Sequence, residues 1–281
     1  MLNAGDLLDI LAYLKETGVA VAFGSAVNLV LTLLWALRWR AGLRFLGLRV
    51  SYLHALEAIT SSFPIGVFIP GNKVAQEAFR IAYVRSPNID RGKVISATTM
   101  EWVSEGIIVA ALLIVALASR APITLVGLAY AQAEQSSPEG RLRKAVLDFL
   151  SDLRTLASNK KMFATYMGLS FIIIMLDLFK VAYMLVILGY VPTILDAVIL
   201  YVAVRVLSMA PTPAGVGVFD AGSFATLALM GVPAGIAALY VIALRLVDTV
   251  IPASVGLIVL AVTGSWRILE EARRWLRRGE P

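Results

Sequence analysis

The chain has no cysteine and a single histidine, His54, among its 281 residues. The lack of cysteine excludes disulfides, thiolate catalysis and cysteine-ligated metal sites. One histidine does not build a metal site, so His54 is best interpreted as a polar residue that is packed or lines a hairpin. No convincing set of serine, histidine and aspartate is present, and we expect neither a metal nor a cofactor.

Charged residues are also scarce, at 16% of the chain, whereas 59% is hydrophobic and the mean hydropathy is +0.82. Soluble domains carry about a quarter charged residues. The apolar excess is too large for one soluble core. It predicts an all-α integral membrane protein, a polytopic helical bundle in a single membrane domain. At about 20 residues per span, the length allows roughly six to eight crossings.

Acidic residues are fewer than basic ones, which gives a net charge of +6. A basic chain can bind nucleic acid, but in a membrane protein the surplus is typical of loops that face anionic lipid on the cytoplasmic side. We therefore expect no nucleic-acid partner. The pattern predicts a multi-pass protein of the cell membrane whose basic loops and C-terminus lie in the cytoplasm.

The N-terminus lacks the basic region of a cleavable signal peptide and carries Asp6 and Asp9 instead. Leucines recur there near helical spacing, which predicts a helix on the membrane surface. These leucines are Leu2, Leu7, Leu8, Leu11 and Leu14.

The first half of the chain predicts a span at residues 19–37, followed by two helical segments at 51–70 and 73–85. The break between these segments is Pro70-Gly71-Asn72. Basic residues flank the pair on both sides, at Arg38, Arg40, Arg44 and Arg49 and then at Arg80, Arg85, Arg91 and Lys93. Because basic flanks are cytoplasmic, the pair predicts a re-entrant hairpin that enters from the cytoplasm. Residues 94–118 predict an outward span.

Residues 121–133 would cross back, and residues 135–161 form a basic, cytoplasmic segment. A span at 162–188 then leads to segments at 192–210 and 218–230, which are separated by a break rich in proline and glycine at 211–217. Neither flank of this second pair is basic, so it predicts a hairpin that enters from the outer face. The last span is expected at 234–262, before a basic tail.

Each half thus has the order span, hairpin, span, with opposite entry of the two hairpins. This order is typical of the inverted-topology repeat of transporters, in which interrupted segments mark the substrate site. The predicted units are a first half at 18–133, a cytoplasmic amphipathic segment at 134–161, a second half at 162–265 and a basic cytoplasmic tail at 266–281.

Several charged residues fall within the predicted spans and hairpins, where each costs about 2.5–3.5 kcal/mol if uncompensated. They are Glu57, Lys73, Glu77, Glu101, Glu105, Asp177, Lys180, Arg205, Asp220, Arg245 and Asp248. Helical spacing predicts three ion pairs, Glu77 with Arg80, Asp177 with Lys180, and Arg245 with Asp248. Glu101 and Glu105 share a helix face as like charges and need a proton or a cation, for which Lys73 is a candidate. Such pairs can simply join helices, but their position around two broken hairpins favours a functional role.

The two breaks also predict helix starts at Asn72 and Val218, where unpaired N–H groups could hold an anion such as phosphate. The alternative is that Gly71, Gly215 and Gly217 merely allow tight turns. Tryptophans near span ends are interpreted as interfacial anchors. They are Trp35, Trp39 and Trp266.

The stretch Met209-Ala-Pro-Thr-Pro-Ala-Gly-Val-Gly-Val-Phe-Asp220, with Gly231-Val-Pro and Leu244-Arg245-Leu246 after it, resembles the membrane domain of lysylphosphatidylglycerol synthases. Pro70-Gly71 with Glu77 and Arg80 resembles the first hairpin of that family, and Glu101 with Glu105 resembles one of its spans. The sequence departs from the family pattern at Asp220, Gln76 and Trp102, where glutamate, glycine and arginine are usual. The resemblance extends from about residue 20 to 262.

The resemblance implies transfer of lipids, or of lipid-linked headgroups, between leaflets. Fused members carry a soluble aminoacyl-transferase domain, for which this chain leaves no room, so we expect a protein that is not an enzyme. Its partner would be a membrane lipid, expected to have a charged headgroup. Two alternatives are a structural or partner-binding membrane subunit and a membrane enzyme that acts on a lipid phosphate.

The predicted function is therefore that of a flippase-like transporter with a polar cavity between its hairpins. Arginines and Lys73 would neutralise an anion, while the carboxylates would hold these cations or contact a cationic headgroup or a proton. The predicted substrate-binding residues are Asn72, Lys73, Glu77, Arg80, Glu101, Glu105, Arg205, Pro211, Pro213, Gly215, Gly217, Asp220, Arg245 and Asp248.

Overall fold

The computed structural model describes residues 4–69, 72–84, 91–118, 159–208, 212 and 215–264, and the regular structure within these ranges is entirely helical. Within the described ranges, four stretches are long and apolar enough to cross a bilayer, namely Tyr13–Phe45, Gly92–Val115, Lys160–Ile187 and Ala234–Thr263. The predicted return crossing at 121–133, nearly all of the segment at 134–161 and the tail at 266–281 lie outside the described residues.

The described residues of the first half form four helices in the predicted order. They are α1 (Ala4–Phe45), α2 (Tyr52–Phe68), α3 (Asn72–Tyr83) and α4 (Arg91–Ala118). Helix α1 is continuous over 42 residues, so the leucines from Leu7 to Leu14 lie in the same helix as the first span and form no separate helix. Helices α2 and α3 pack against each other.

The second half repeats this order of a long helix, two short helices and a long helical segment. Its elements are α5 (Lys160–Ile187), α6 (Ile194–Leu207), α7 (Val218–Leu229), α8 (Ala234–Arg245), a π-helical turn (Leu246–Val250) and α9 (Ile251–Thr263). The predicted single span at 234–262 therefore has a π-helical turn near its middle. Helices α6 and α7 pack against each other.

Side-chain caps fix three helix starts. The Ser51 hydroxyl accepts from the backbone N–H of His54 at 3.1 Å, and the Asn159 side chain accepts from Met162 at 3.1 Å. Thr193 and Asp196 form a reciprocal capping box at the start of α6. Such caps satisfy amide groups that have no partner within the helix. Because a cap depends on one or two neighbouring residues, it is a local sequence signal for a helix start.

Glycines and a buried hydroxyl show how closely the long helices approach one another. A Cβ atom at Gly42 of α1 would lie 1.6 Å from the hydroxyl of Tyr166 on α5. At Gly24 of α1, a Cβ atom would lie 2.8 Å from Val247 and 2.9 Å from Met184. Helix α1 makes its most extensive contacts with α5, and small residues at such an interface let two backbones approach closely in a membrane.

The exterior is strongly apolar, and the interior holds charge. Ile194 is 87% exposed and Val262 is 81% exposed, whereas Lys180 is 2% exposed and Glu101 is 3% exposed. Two main hydrophobic clusters fill the interior of the described residues. The larger lies mostly in the second half but includes Ala20 and Ile108 of the first half, and the other lies in the first half together with Leu260 of α9. A distribution of this kind suits a hydrocarbon solvent, in which ionic groups face one another inside the bundle.

Candidate functional site: ion pairs inside the helix bundle

Arg38 of α1 is the centre of the first group of buried ionic residues. Its Nη2 atom lies 2.7 Å from Oε1 of Glu105, and its Nε atom lies 3.3 Å from Oε1 of Glu101. Its Nη1 atom donates a hydrogen bond to the hydroxyl of Ser170 at 2.9 Å. The planar guanidinium thereby joins α1 to α4 and to α5, and it supplies the cation that Glu101 and Glu105 require.

Arg80 of α3 extends this group toward the first hairpin. It contacts both carboxylate oxygens of Glu77 at 2.7 Å and Oε2 of Glu101 at 2.7 Å. Its guanidinium carbon lies 4.7 Å from the centroid of a Trp39 ring, a cation–π distance. Glu101 is therefore shared between Arg38 and Arg80, and the short helix α3 is tied to the long helix α4.

Neutral hydrogen bonds surround this first group. The hydroxyls of Ser104 and Ser170 lie 2.8 Å apart, and the hydroxyl of Tyr166 donates to the backbone oxygen of Ala97 at 3.0 Å. The indole N–H of Trp39 donates to Thr98 at 3.2 Å. These bonds fix the ring and hydroxyl positions around the charges, as buried polar networks require.

A second group of ionic residues lies in the second half. Nζ of Lys180 is 2.8 Å from Oδ1 of Asp177 and 2.6 Å from Oδ1 of Asp248. Asp177 also pairs with Arg205 of α6, whose Nε donates to the hydroxyl of Tyr201 at 3.1 Å. The group connects α5 to α6 and to the π-helical turn.

A third ion pair lies beside the second break in the chain. Arg245 contacts Asp220 at 2.6 Å through Nε and at 2.8 Å through Nη2. Asp220 also accepts from the N–H of Gly217 at 3.2 Å. Gly215 and Gly217 have φ of +68° and +84°, values that favour glycine, so both glycines allow the tight turn here.

The predicted site residues are brought together in part. Glu77, Arg80, Glu101 and Glu105 lie in the first group, Arg205 and Asp248 in the second, and Asp220 and Arg245 in the third. The predicted pairs of Glu77 with Arg80 and of Asp177 with Lys180 are confirmed. Helices α3 and α7 begin at Asn72 and Val218 as predicted. Pro211 and Pro213 lie outside the described residues, as do the side chains of Asn72 and Lys73.

Arg38 and Trp39 correct two predictions. The sequence pattern assigned Arg38 to a basic cytoplasmic end and Trp39 to the membrane interface, but Arg38 is 3% exposed and Trp39 is fully buried. The reason is helical phase: Arg38 shares the inward stripe of α1 with Leu31 and Gly42, whereas Arg44 points outward. Arg38 was thus the main omission from the predicted site, and its buried helix face was the available signal.

The predicted pair of Arg245 with Asp248 is replaced by two other pairs. Arg245 ends α8 and reaches Asp220, while Asp248 lies in the π-helical turn and reaches Lys180. The spacing rule assumes an α-helix, and the wider π-helical turn breaks it at this point. Asp177 and Lys180 are integral to the second group although the predicted site did not include them.

The chemistry of these groups is that of charge compensation. Within the described ranges, no set of three or more His, Cys, Asp or Glu residues could hold a metal ion. The guanidinium and ammonium groups can bind carboxylate or phosphate oxygens, and the carboxylates can bind cationic groups. An ion that enters the bundle could therefore bind one member of an ion pair by displacing the other member.

A largely apolar exterior, four stretches of the described residues that are long enough to span and ion pairs buried in the interior define a polytopic α-helical membrane protein. The chain belongs to the family described as Lysylphosphatidylglycerol synthase TM region, whose model matches residues 2–256. No curated protein and no solved structure matches the chain. Membership of this family indicates a membrane protein that acts on lipids.

Proposed function

We propose that the protein is a flippase-like transporter that moves a lipid, or a lipid-linked polar headgroup, from one membrane leaflet to the other. The observation that carries this proposal is the set of buried ion pairs inside the bundle, around Arg38, Lys180 and Arg245. We propose transport without a chemical step, in the cell membrane, with the basic loops on the cytoplasmic side.

The contribution of these ion pairs to folding stability does not by itself explain why charged residues lie inside the bundle. A buried ion pair gains little over a well-packed apolar pair, because both ions lose their hydration. Ionic groups inside a membrane protein are expensive, and they are typical of substrate and ion pathways. Burial of five charged residues therefore favours a role in binding over a role as helix connectors. These residues are Arg38, Arg80, Glu101, Asp177 and Lys180.

Part of this ionic set can accept a ligand. Nε of Arg80 is buried without a hydrogen-bond partner among the described residues, so it offers a donor to an anionic oxygen. The Asp220 side chain keeps 36% of its surface exposed although it is paired with Arg245. A phosphate could displace Asp220 from Arg245 at moderate cost, because this carboxylate would return to a partly solvated position.

The location of the ion pairs also supports alternating access. Those described above each join two residues of the same half, while the contacts between halves include neutral bonds such as Tyr166 to Ala97 and Asn28 to Val247. Rotation of one half against the other would exchange such contacts, together with the bond from Arg38 to Ser170 and the Coulombic interaction of Glu105 with Arg205. The ion pairs described above would stay within their own half. We propose that the halves form an inverted repeat, with α2–α3 and α6–α7 as re-entrant hairpins.

A leaflet-exposure assay in proteoliposomes tests the proposal. Fluorescent phospholipid in the outer leaflet is bleached by a membrane-impermeant reductant, and the wild type should expose the inner pool faster than empty liposomes do. Glu105→Gln removes one of the two carboxylates that compensate Arg38, and Arg245→Ala removes the cation that a phosphate would contact. Each variant should therefore lower the rate at least about tenfold.

Glu16→Gln is the matched control, since Glu16 is an exposed carboxylate on α1 outside the ionic groups. Its rate should equal that of the wild type. A wild type no faster than empty liposomes, or equal rates for the wild type and Arg245→Ala, would contradict the proposal.

A further inference from the structure

A basic cavity lies at the corner between α1 and α2, away from the buried ion pairs. Its volume is about 730 Å³, and its lining consists of Arg40, Arg44, Gly47, Leu48, Arg49, Val50 and Ser51. No acidic residue belongs to this lining. Arg38 precedes it by two positions on α1 but points into the bundle, so one helix end carries an inward ionic site and an outward basic surface.

The three arginines of this cavity have capacity for an anion. Among the described residues, none of Arg40, Arg44 and Arg49 forms an ion pair with a carboxylate. Nε of Arg40 donates to the backbone oxygen of Val50 at 3.3 Å, which holds that guanidinium over the cavity. The first turn of α2, capped by Ser51, adds the partial positive charge of a helix start.

A second cavity, of about 330 Å³, adjoins the basic one and shares Arg40 and Arg44 with it. Its other lining residues are Leu37, Ala41, Phe45 and Thr165. The α1 residues in this lining follow the spacing i, i+3, i+4, i+7 and i+8, which is one face of a helix. A largely apolar groove on the helix surface therefore adjoins a cluster of guanidinium groups.

We propose that this corner binds one anionic glycerophospholipid of the surrounding leaflet as a resident ligand. The phosphate would lie among Arg40, Arg44 and Arg49, and an acyl chain would follow the face of Leu37, Ala41 and Phe45. Arginine forks suit phosphate oxygens, and the juxtaposition of a basic cavity with an apolar one matches an anionic amphiphile better than a soluble anion. The lipid at this site is a fixed ligand and is separate from any lipid that the protein moves.

Binding measurements on the purified full-length protein in detergent test this site. Short-chain phosphatidylglycerol, short-chain phosphatidylcholine and free glycerol phosphate are titrated separately and followed by microscale thermophoresis. The wild type should bind phosphatidylglycerol well above the other two. Arg44→Gln combined with Arg49→Gln should weaken that binding about thirtyfold, from the typical contribution of a basic residue near an anionic membrane surface.

Lys160→Gln combined with Lys161→Gln is the matched control, because both lysines are exposed at the start of α5 and the net charge falls by the same amount. Its affinity should stay at the wild-type value. Ala41→Phe should weaken lipid binding by filling the apolar cavity.

Equal weakening by the two double variants would overturn the proposal, because only net charge would then matter. Equal binding of phosphatidylcholine, or glycerol phosphate binding as tight as that of the lipid, would also overturn it. The measurement involves no transport, so its failure would leave the leaflet-exchange proposal untouched.

Discussion

Arg38 holds three acceptors on two other helices with a single guanidinium group. Its contacts to Glu101, Glu105 and Ser170 use Nε, Nη2 and Nη1 respectively. A lysine carries its charge at one point and cannot span that set of positions. The geometry of the group, in addition to its charge, is therefore needed to keep both carboxylates compensated.

We expect Arg38→Lys to destabilise the protein by about 3 kcal/mol, since at least one buried carboxylate loses its direct partner. Arg40→Lys, two positions away on the outward face, should leave stability within about 0.5 kcal/mol of the wild type. Thermal unfolding in detergent, followed by intrinsic tryptophan fluorescence, compares the two variants. Equal midpoints for both would show that Arg38 acts only as a charge.

At the scale of single residues, the sequence identified most of the ionic set but not its pairing. The free energy needed to place a charged side chain in hydrocarbon is large, so Glu101 and Lys180 stand out in the sequence because they lie within spans. The partner of each depends on helix rotation and on which helices are neighbours, and neither is encoded by local spacing. Arg38 was missed because a basic residue at the end of an apolar run usually marks a cytoplasmic boundary.

Helices α1 and α5 form the main contact between the two halves, and glycine sets the distance between them. Gly42 leaves room for the Tyr166 hydroxyl, whereas a methyl group added at Gly18, on the same helix, would have no described atom of another element within 4 Å. The two glycines thus differ in packing but share helical conformation, which makes them a useful pair for comparison.

Gly42→Ala should destabilise the protein by about 1–3 kcal/mol, because the added methyl group overlaps Tyr166 and forces the helices apart. Gly18→Ala should be neutral or stabilising by up to about 1 kcal/mol, since alanine favours a helix more than glycine does. Denaturant titration of both variants measures the difference. A midpoint for Gly42→Ala at or above that of Gly18→Ala would contradict close packing at this site.

Helix boundaries were the most predictable property at the scale of elements. Caps at Ser51 and Thr193 and the break near Pro70 are local signals, and the structure begins or ends helices within a few residues of each. The π-helical turn at Leu246–Val250 has no such signal. It is supported from another helix, because the Asn28 side chain donates to the backbone oxygen of Val247 at 2.8 Å.

The described residues bury several ion pairs inside the bundle and leave a largely apolar surface outside. Composition predicted the apolar surface, and the positions of charged residues within the spans predicted the buried charge. Topology relative to the membrane depends on the basic flanks, and the element order of the two halves matches the predicted order of spans and short helices. The absence of cysteine makes labelling straightforward, since each introduced thiol is unique.

Single-cysteine variants test the proposed topology. Lys160→Cys and Val191→Cys flank α5, so an impermeant maleimide should reach them from opposite sides of the membrane, the first from the cytoplasmic side. Asn72→Cys and Thr212→Cys, at the proposed hairpin tips, should react much more slowly than either. Rapid labelling of both tips from bulk water would remove the re-entrant hairpins and the cavity proposed between them.

The π-helical turn lets the last span serve two ionic partners in different directions, Asp220 through Arg245 and Lys180 through Asp248. Deleting Thr249 from the turn Leu246–Val250 would permit a regular α-helix and leave the hydropathy of the span almost unchanged. In that helix, residues three apart share a face, so the two charges would be drawn toward each other. Asp220 and Lys180 would lose partners together. Such a change in length would leave the span apolar enough for the bilayer. It would nevertheless decide which charged residues of the span pair with which partners.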